Sequence, residues 1–287
     1  TGVVGNDVTG VGTVRNSLGA ASYGPGKAIY GYGWAASSIY YSLTNLVSNT
    51  GVVGSDVTGV GTARRGLTAA GYGTDKAIFG FGGSSGSNQV SMTNLVSNTG
   101  VVSTDTAGVG TARVFPSAAG YGTDKVIFSY GVSSNFTDFT PLTNLVSNTG
   151  VMSTDTTGVG TGRWILASAG YGTDKAIFGY GSTTTVAAGS VSMTNLVSNT
   201  GVIASDTTGV GTARYALAAA GYGTDKAIFG YGSTTSSTFV SVTNLVSNTG
   251  VVSSDVTGVG TGRSYIAAAS YGTDKAIFGY GYTGAYV

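Results

Sequence analysis

The chain has 287 residues, with 13 basic and 12 acidic side chains, a net charge of +1, 50 glycines, and neither histidine nor cysteine. The missing residue types exclude imidazole bases, thiolate nucleophiles, disulfides and the usual zinc, copper and haem sites. The low charge argues against nucleic acid as a partner, since phosphate binding needs a basic surface, and no apolar run reaches the roughly 18 residues of a membrane span.

Six copies of one unit make up the chain. The arginine that closes each G-V-G-T-x-R motif marks the period, and successive copies lie 49 to 51 residues apart. A lysine follows each of these arginines at the same spacing, so the unit is copied with almost no slippage. The frame arginines are Arg15, Arg64, Arg113, Arg163, Arg214 and Arg263. We therefore expect a single domain over residues 1–287.

Each unit contains four short apolar elements. In chain order, the fifth unit reads LAAAGYG (217–223), KAIFGYG (226–232), FVSVTNLVSN (239–248) and VVSSDVTGVG (251–260). Alternating apolar and small polar residues, with glycine or aspartate at the breaks, predict strands joined by hairpins. No stretch has a helical period. The sequence thus predicts an all-β fold with four strands in each unit.

Six units of about 49 residues and four antiparallel strands predict a six-bladed β-propeller, in which each unit is one blade. The first strand is rich in alanine and glycine, which suits the crowded central channel. The bulkier second and third strands suit positions between blades. The repeated tyrosines and phenylalanines are therefore expected to pack between neighbouring units.

The two ends of the chain fall within a unit. Thr1 begins in the phase of Thr50, just before a fourth strand, and Val287 follows the second strand of the sixth unit. This offset predicts a ring closed by N- and C-terminal segments that share one blade. The sixth unit has no T-N-L-V-S-N copy, so its third strand must come from the tail TGAYV, from residues upstream, or from a partner chain. The missing initiating methionine indicates processing or excision from a longer polypeptide.

The unit resembles the kelch repeat. The run GTARxxLAAAGYGTDKAIFGYG is similar to the kelch order of an arginine, a small apolar strand, a short turn and an aromatic-aliphatic strand that ends in glycines. T-N-L-V-S-N-T-G-V-V stands where that family has its third strand and the turn into the fourth. Here the paired glycines read Gly-Tyr-Gly, and valines such as Val53 and Val102 replace the usual tryptophan. The near-identical Gly/Ser/Thr-rich units also resemble repeat proteins of marine tailed phages.

Nearly all charges belong to the repeated frame. Each unit has one arginine, one lysine and one fourth-strand aspartate, and five units add an aspartate in a T-D-K turn. We expect the fourth-strand aspartates to form ion pairs with the frame arginines. A metal site built from one aspartate per unit is the alternative, although hard cations prefer several oxygen ligands from one loop. The fourth-strand aspartates are Asp7, Asp56, Asp105, Asp155, Asp206 and Asp255.

No catalytic motif or cofactor site is predicted. G-V-G-T-G-R (158–163) superficially suggests a phosphate-binding loop, but no Lys-Ser or Lys-Thr follows and no helix is expected there. A serine triad cannot exist without histidine. The sequence therefore predicts neither an enzyme nor a bound cofactor.

Two segments differ between the copies: the residues after the frame arginine, and the loop between the second and third strands. In a four-stranded blade both emerge on one side, here called the variable face. The T-D-K and S-N-T-G turns emerge on the other side, the constant face. Both tryptophans, both charges outside the frame, and 12 of 30 aromatic residues lie in the variable segments or the tail. Phe239 and Tyr286 are among these aromatics, and the candidate binding residues are Trp34, Tyr40, Tyr41, Arg65, Phe115, Phe136, Asp138, Phe139, Trp164, Tyr215, Tyr265 and Tyr282.

Exposed aromatic side chains are typical of surfaces that bind proteins or sugars. The leading hypothesis is a non-catalytic viral or extracellular surface module that recognises a protein or glycan through its variable face. A purely structural block of a virion or filament, with other virion subunits as partners, is the second. The third is an enzyme with a central-channel site. Random drift of relaxed loops is the alternative explanation of the variation.

Overall fold

The computed structural model describes residues 9–35, 39–85, 88–133, 136–185 and 187–285. These residues form short antiparallel strands and a 3-10 turn at Ala187–Gly189, and none of them forms an α-helix. The all-β prediction is confirmed. The described part of the chain also contains no helix that is long and apolar enough to cross a membrane.

Each unit, numbered 1 to 6 by its frame arginine, is built on a small meander. The first strands are β1 (Gly19–Ser22), β6 (Thr68–Tyr72), β9 (Ser117–Tyr121), β14 (Ala167–Tyr171), β17 (Ala218–Tyr222) and β20 (Ala267–Tyr271). The middle strands are β2 (Ala28–Gly31), β7 (Lys76–Gly80), β10 (Lys125–Ser129), β15 (Lys175–Gly179), β18 (Lys226–Gly230) and β21 (Lys275–Gly279). The third strands are β5 (Thr44–Val47), β8 (Thr93–Val96), β13 (Thr143–Val146), β16 (Thr194–Val197) and β19 (Thr243–Val246). Two short hairpins, whose strands have two residues each, lie in the second-to-third loops. They pair β3 (Trp34–Ala35) with β4 (Ile39–Tyr40), and β11 (Val132–Ser133) with β12 (Asp138–Phe139).

The strands of a unit pair in the order first, middle, third. In unit 4, Ile177 of β15 lies opposite Ala169 of β14 and Leu196 of β16. A three-residue turn, Gly172 to Asp174 in unit 4, sets this register by closing the first hairpin, and the lysine of the T-D-K motif is the first residue of the middle strand. Units 1 to 5 all repeat this arrangement.

The expected fourth strand is irregular. In unit 1 it forms isolated bridges from Val53 to Val47 and from Val57 to Thr44. Four residue steps on this segment thus face three on β5, which is the geometry of a bulge. Units 2 to 5 carry the same extra residue. The prediction of four strands per unit is confirmed only in part: within the described residues, the main sheet of units 1 to 5 has three regular strands, and the fourth segment is bulged.

Neighbouring units pack face to face through the repeated aromatics. Tyr32 of unit 1 meets Phe79 of unit 2 edge-on, with ring centroids 5.1 Å apart. The equivalent pair, Tyr180 of unit 4 and Phe229 of unit 5, has ring centroids 5.2 Å apart. All four of these side chains are fully buried. The expected packing of these residues between units is confirmed.

The first strands of units 2 to 6 lie side by side and line one cavity of about 320 Å³. Its wall is formed where the strands present glycine or serine, at Gly71, Gly120, Gly170, Gly221 and Ser270. The adjacent backbone approaches most closely at Gly71, where a Cβ would lie 2.7 Å from the carbonyl oxygen of Ser22. The hydroxyl of Ser270 donates to the carbonyl of Gly221 at 2.8 Å.

The two ends of the array differ from its middle. Within the described residues, unit 6 has only β20 and β21. Its Tyr280 is 65% exposed, whereas the equivalent Tyr180 is fully buried. The tail up to Ala285 forms no third strand, because Tyr282 bridges to Ser264 and the residues that follow make a bend. Residues 1–8, which were expected to share this blade, and the last two residues lie outside the described residues.

Candidate binding face

The frame arginine stands at the base of each variable segment, and in units 2 to 5 its side chain is fully buried. In unit 2, Arg64 Nη2 donates to Asn94 Oδ1 at 2.6 Å, and Nε donates to the carbonyl of Phe81 at 2.8 Å. Its guanidinium carbon lies 4.2 Å from the ring centroid of Tyr32 in unit 1. One side chain therefore links the strands of its own unit to the preceding unit. Burial lowers the pKa of Arg64, although nearby Tyr32 and Asp105 oppose this effect.

The fourth-segment aspartate completes this network. Asp105 accepts hydrogen bonds from the backbone nitrogen and hydroxyl of Thr62 at 2.9 and 2.7 Å, and from Asn94 at 2.9 Å. Its carboxylate lies 3.8 Å from Arg64 Nη1. Burial raises the pKa of Asp105, but these hydrogen bonds and the charge of Arg64 together lower it below its usual value. The expected ion pairs are present in units 1 to 4, whereas Asp7 lies outside the described residues.

The constant face is also confirmed. Asn98 of an S-N-T-G turn donates to Asp75 of a T-D-K turn at 3.2 Å, and Asn148 donates to Asp124 at 3.0 Å. The two repeated turns of a unit therefore lie together. In units 2, 4, 5 and 6 the turn aspartate forms an ion pair with the lysine that follows it, as in Asp174 with Lys175 at 3.2 Å.

The two variable segments of each unit meet on the opposite side. The residue after the frame arginine forms an isolated bridge to the start of the second-to-third loop in units 1 to 5, and to the tail in unit 6. These bridges are Asn16 to Trp34, Arg65 to Gly83, Val114 to Val132, Trp164 to Ser182, Tyr215 to Ser233 and Ser264 to Tyr282. The sequence-based placement of both segments on one face is therefore correct.

A backbone feature not visible in the sequence shapes this face. The second residue after each frame arginine has a positive φ of 49 to 62°, although only one of the six is glycine. Backbone hydrogen bonds connect these positions between units, as in Phe115 N to Gly66 O at 2.6 Å and Tyr265 N to Ala216 O at 2.8 Å. The interunit bonding holds a conformation that costs about 1 kcal/mol or more for residues with a Cβ. Because the residue type at these positions differs from unit to unit, the sequence gives no sign of this backbone conformation.

Trp34 is the centre of the first aromatic group. Its ring centroid is 6.4 Å from that of Tyr40 across the β3–β4 hairpin. The guanidinium carbon of Arg65, in unit 2, lies 4.2 Å from the Trp34 ring centroid. The adjacent Tyr41 is half-buried, and its backbone nitrogen donates to Gly33 O at 2.9 Å. The site thus combines a cation with aromatic surface from two units.

Trp164 is the centre of a larger aromatic group. Its ring centroid is 5.6 Å from that of Phe115 and 6.1 Å from those of both Phe136 and Phe139. The indole nitrogen donates to the carbonyl of Thr184 at 2.9 Å, which fixes the ring plane. Units 3 and 4 both contribute to this group. All four rings are half-buried rather than fully exposed, because they cover one another.

The remaining candidates are spread along the same face. Exposed Asp138 accepts a hydrogen bond from Ser133 at 2.9 Å, and the Tyr215 hydroxyl donates to Thr235 O at 3.3 Å. Tyr265 is 60% exposed. Tyr282 meets Phe239 at 5.7 Å. Phe239 was absent from the candidate set, although its position outside the repeated frame could have identified it, and Tyr286 lies outside the described residues.

No known protein-family model matches the chain, and no curated protein is significantly similar to it.

Proposed function

We propose that the chain is a non-catalytic binding module whose variable face recognises a protein or a glycan. The observation that carries this proposal is the Trp164 group, in which four aromatic rings outside the repeated frame come together from units 3 and 4. Half-buried aromatics with accessible faces and edges offer apolar area without a large loss of conformational entropy on binding. The Trp34 group adds a guanidinium cation to the same face.

A viral, especially phage, or extracellular location is part of this proposal. It is supported by the resemblance of the Gly/Ser/Thr-rich units to repeat proteins of marine tailed phages. It also fits a chain that keeps one face constant and varies the other, which is an economical way to change a ligand on a fixed scaffold.

The two tryptophans make a direct test. Because Trp34 and Trp164 are the only tryptophans and both lie on the variable face, tryptophan fluorescence, excited at a wavelength that tyrosine does not absorb, reports that face. We expect a ligand identified on an immobilised panel of oligosaccharides and surface proteins to change this emission. Trp164→Ala or Trp34→Ala should weaken binding at least about tenfold. Lys125→Ala on the constant face is the control, and equal binding by all three variants would contradict the proposal.

We further propose that the array is a closed, six-bladed, kelch-like propeller whose N- and C-terminal segments share the sixth blade. The common cavity of units 2 to 6 supports a turn about one axis. The two ends also match in chemistry, since Gly279 and Tyr280 repeat the glycine and tyrosine that units 1, 4 and 5 present to the following unit. Arg15 and Tyr30 repeat the opposite face, with Tyr30 in place of Phe229.

Matched glycine variants test closure. A Cβ on Gly179 would lie 2.8 Å from the ring of Phe229, whereas a Cβ on Gly279 meets nothing within 4 Å. Gly179→Ala should therefore lower the free energy of unfolding by about 1 to 3 kcal/mol. If Tyr30 closes the ring, Gly279→Ala should cause a similar loss. A neutral or stabilising Gly279→Ala variant would show an open array.

A structural role in a larger particle, such as a virion or a filament, is the second candidate. In that case, purified chains should assemble with one another. Sedimentation velocity and electron microscopy at increasing concentration would reveal the assembly, and a strict monomer at all concentrations would count against it.

A further inference from the structure

Arg65 is the only cation of the chain that lies outside the repeated frame. The other units have asparagine, valine, tryptophan, tyrosine or serine at this position, so the array does not need a charge there. Two backbone hydrogen bonds with Gly83, at 3.0 and 2.9 Å, fix the place of Arg65 on the variable face. A charge that the scaffold does not require, on a loop that a rigid scaffold holds, is a candidate for ligand binding.

The guanidinium of Arg65 is held by stacking rather than by an ion pair. Its central carbon lies 4.2 Å from the ring centroid of Trp34 in unit 1. A stacked guanidinium keeps its N–H donors in its own plane, where they are free to meet an acceptor. Among the residues that the structure describes, none accepts a hydrogen bond from the Arg65 side chain or pairs with its charge. The donor edge that binds a carboxylate in two places is therefore fixed in position and open.

No acidic residue of the surrounding loops balances this charge. The frame arginines of units 1 and 2 each have their own aspartate, since Arg15 pairs with Asp56 and Arg64 with Asp105. The variable segments of the two units contain neither aspartate nor glutamate, so the positive charge of Arg65 is uncompensated and attracts an anion. These segments are residues 16–18, 34–43, 65–67 and 83–92.

The groups around Arg65 suit an acidic sugar better than an acidic peptide. The half-buried ring of Tyr40 lies 6.4 Å from that of Trp34, so aromatic surface lies beside the cation. Asn16, which is bridged to Trp34, is exposed, as is Asn88 in the loop of unit 2. A sugar acid carries a carboxylate, a ring with an apolar face and several hydroxyls in one residue, and can therefore use all these groups together. An aspartate or glutamate side chain would use the cation alone.

The second aromatic group of the variable face has the opposite charge. Its Phe139 lies 6.1 Å from Trp164 between ring centroids, and the neighbouring Asp138 is exposed. Like charges repel, so this carboxylate disfavours an acidic ligand there. The face therefore directs an acidic sugar to the Trp34 group.

We propose that the Trp34 group, formed by Trp34, Tyr40 and Arg65, binds a uronic-acid residue of a glycan. The guanidinium of Arg65 donates to the sugar carboxylate, the sugar ring lies against Tyr40, and Asn16 bonds to a sugar hydroxyl. This inference rests on the proposed function for the use of the variable face, and it adds the chemical class and the charge of the ligand. It does not depend on whether the array is closed.

The test compares trisaccharides of glucuronic, galacturonic and mannuronic acid with the same sugars after reduction of each carboxyl group to an alcohol. In calorimetric titrations of the intact chain, at least one acid should bind at least about tenfold more tightly than its reduced form, because the reduced sugar lacks the charged hydrogen bonds. Arg65→Gln should abolish this difference, since glutamine is polar but uncharged. Lys125→Gln removes a cation from the constant face and is the matched control, which should keep the difference.

Tryptophan emission locates the bound sugar. In a Trp164→Phe chain, Trp34 is the only tryptophan, so the acid that binds should change its emission. Unchanged emission, equal affinity for acids and reduced sugars, or an undiminished difference in Arg65→Gln would overturn the inference. So would no binding of any of these trisaccharides, or binding of hexaglutamate as tight as that of the best acid. Failure of the proposed function is a separate result, namely that no ligand of the wider panel depends on Trp34 or Trp164.

Discussion

The guanidinium carbon of Arg113 lies 3.9 Å from the ring centroid of Phe81, which belongs to the preceding unit. The same guanidinium donates to Asn144 at 2.7 Å within its own unit. The contact between units is therefore attached directly to the polar network within a unit. This attachment explains why the arginine position is kept in all six copies, whereas the next two residues vary.

Arg113→Lys should lower the free energy of unfolding by about 3 kcal/mol. Burial lowers the pKa of Arg113 to about 10, so the native side chain is charged at neutral pH, as lysine would be. The loss in stability therefore measures the hydrogen bonds and the ring stacking of the planar guanidinium group, since the charge is the same in both side chains. Urea unfolding followed by circular dichroism gives the value. Arg65→Lys, at a half-buried site, should cost no more than about 1 kcal/mol, and equal losses would contradict this account.

Acid should destabilise the array through the fourth-segment aspartates. Burial raises the pKa of Asp155, but the hydrogen bonds from Thr111 and Asn144 and the charge of Arg113 outweigh this effect, so that the pKa of Asp155 lies below its usual value. A carboxylate with a lowered pKa in the folded state contributes stability above its unfolded pKa. That contribution is lost as the pH falls through the folded value.

The free energy of unfolding should therefore be constant near neutrality and fall below about pH 4. Denaturant titrations from pH 7 to pH 2 measure it. Asp155→Asn should be less stable at pH 7 and show a shallower acid slope, while Asp138→Asn, on the exposed loop, should keep the parent slope. An unchanged slope in Asp155→Asn would rule out this origin.

The packing of the repeated aromatic residues between units could be predicted from the sequence. Each of these residues recurs at a fixed spacing, and a contact between two units needs one partner from each of them. The bulge between Val53 and Val57 could not, since an alternating pattern does not reveal one extra residue. The positive φ of Phe115 or Ile165 was equally hidden, because bonding between units imposes it on unrelated side chains. The sequence located the variable face, but only the structure shows that Phe115, Phe136 and Phe139 gather on Trp164.

Tyr130 provides a test of hydrogen bonding at a repeated position. Its hydroxyl is buried and has no hydrogen-bond partner among the described residues, whereas the hydroxyl of the equivalent Tyr180 donates to Val210 O at 3.2 Å. Burial raises the pKa of Tyr130 to about 12, so it stays neutral under ordinary conditions. Unit 2 has Phe81 in the same place, which shows that the frame accepts phenylalanine.

Tyr130→Phe should therefore be neutral or stabilise the chain by up to about 1 kcal/mol, and Tyr180→Phe should destabilise it by about 1 kcal/mol. Parallel thermal and urea unfolding of the two variants compares them directly. A larger loss for Tyr130→Phe than for Tyr180→Phe would mean that the Tyr130 hydroxyl is in fact satisfied.

The T-D-K turns hold a threonine in an unfavourable conformation. Thr123 has a φ of 69° and is exposed, as part of a turn in which Gly122 also has a positive φ. A β-branched residue is strained in this region, whereas glycine is not. Thr123→Gly should therefore raise the free energy of unfolding by about 0.5 to 1 kcal/mol. The equivalent Thr273 of unit 6 lies outside the left-handed region, so Thr273→Gly should instead be neutral or destabilising by up to about 1 kcal/mol. Urea unfolding of both variants separates the two effects, and a destabilised Thr123→Gly chain would show that the threonine side chain contributes more than its backbone strain costs.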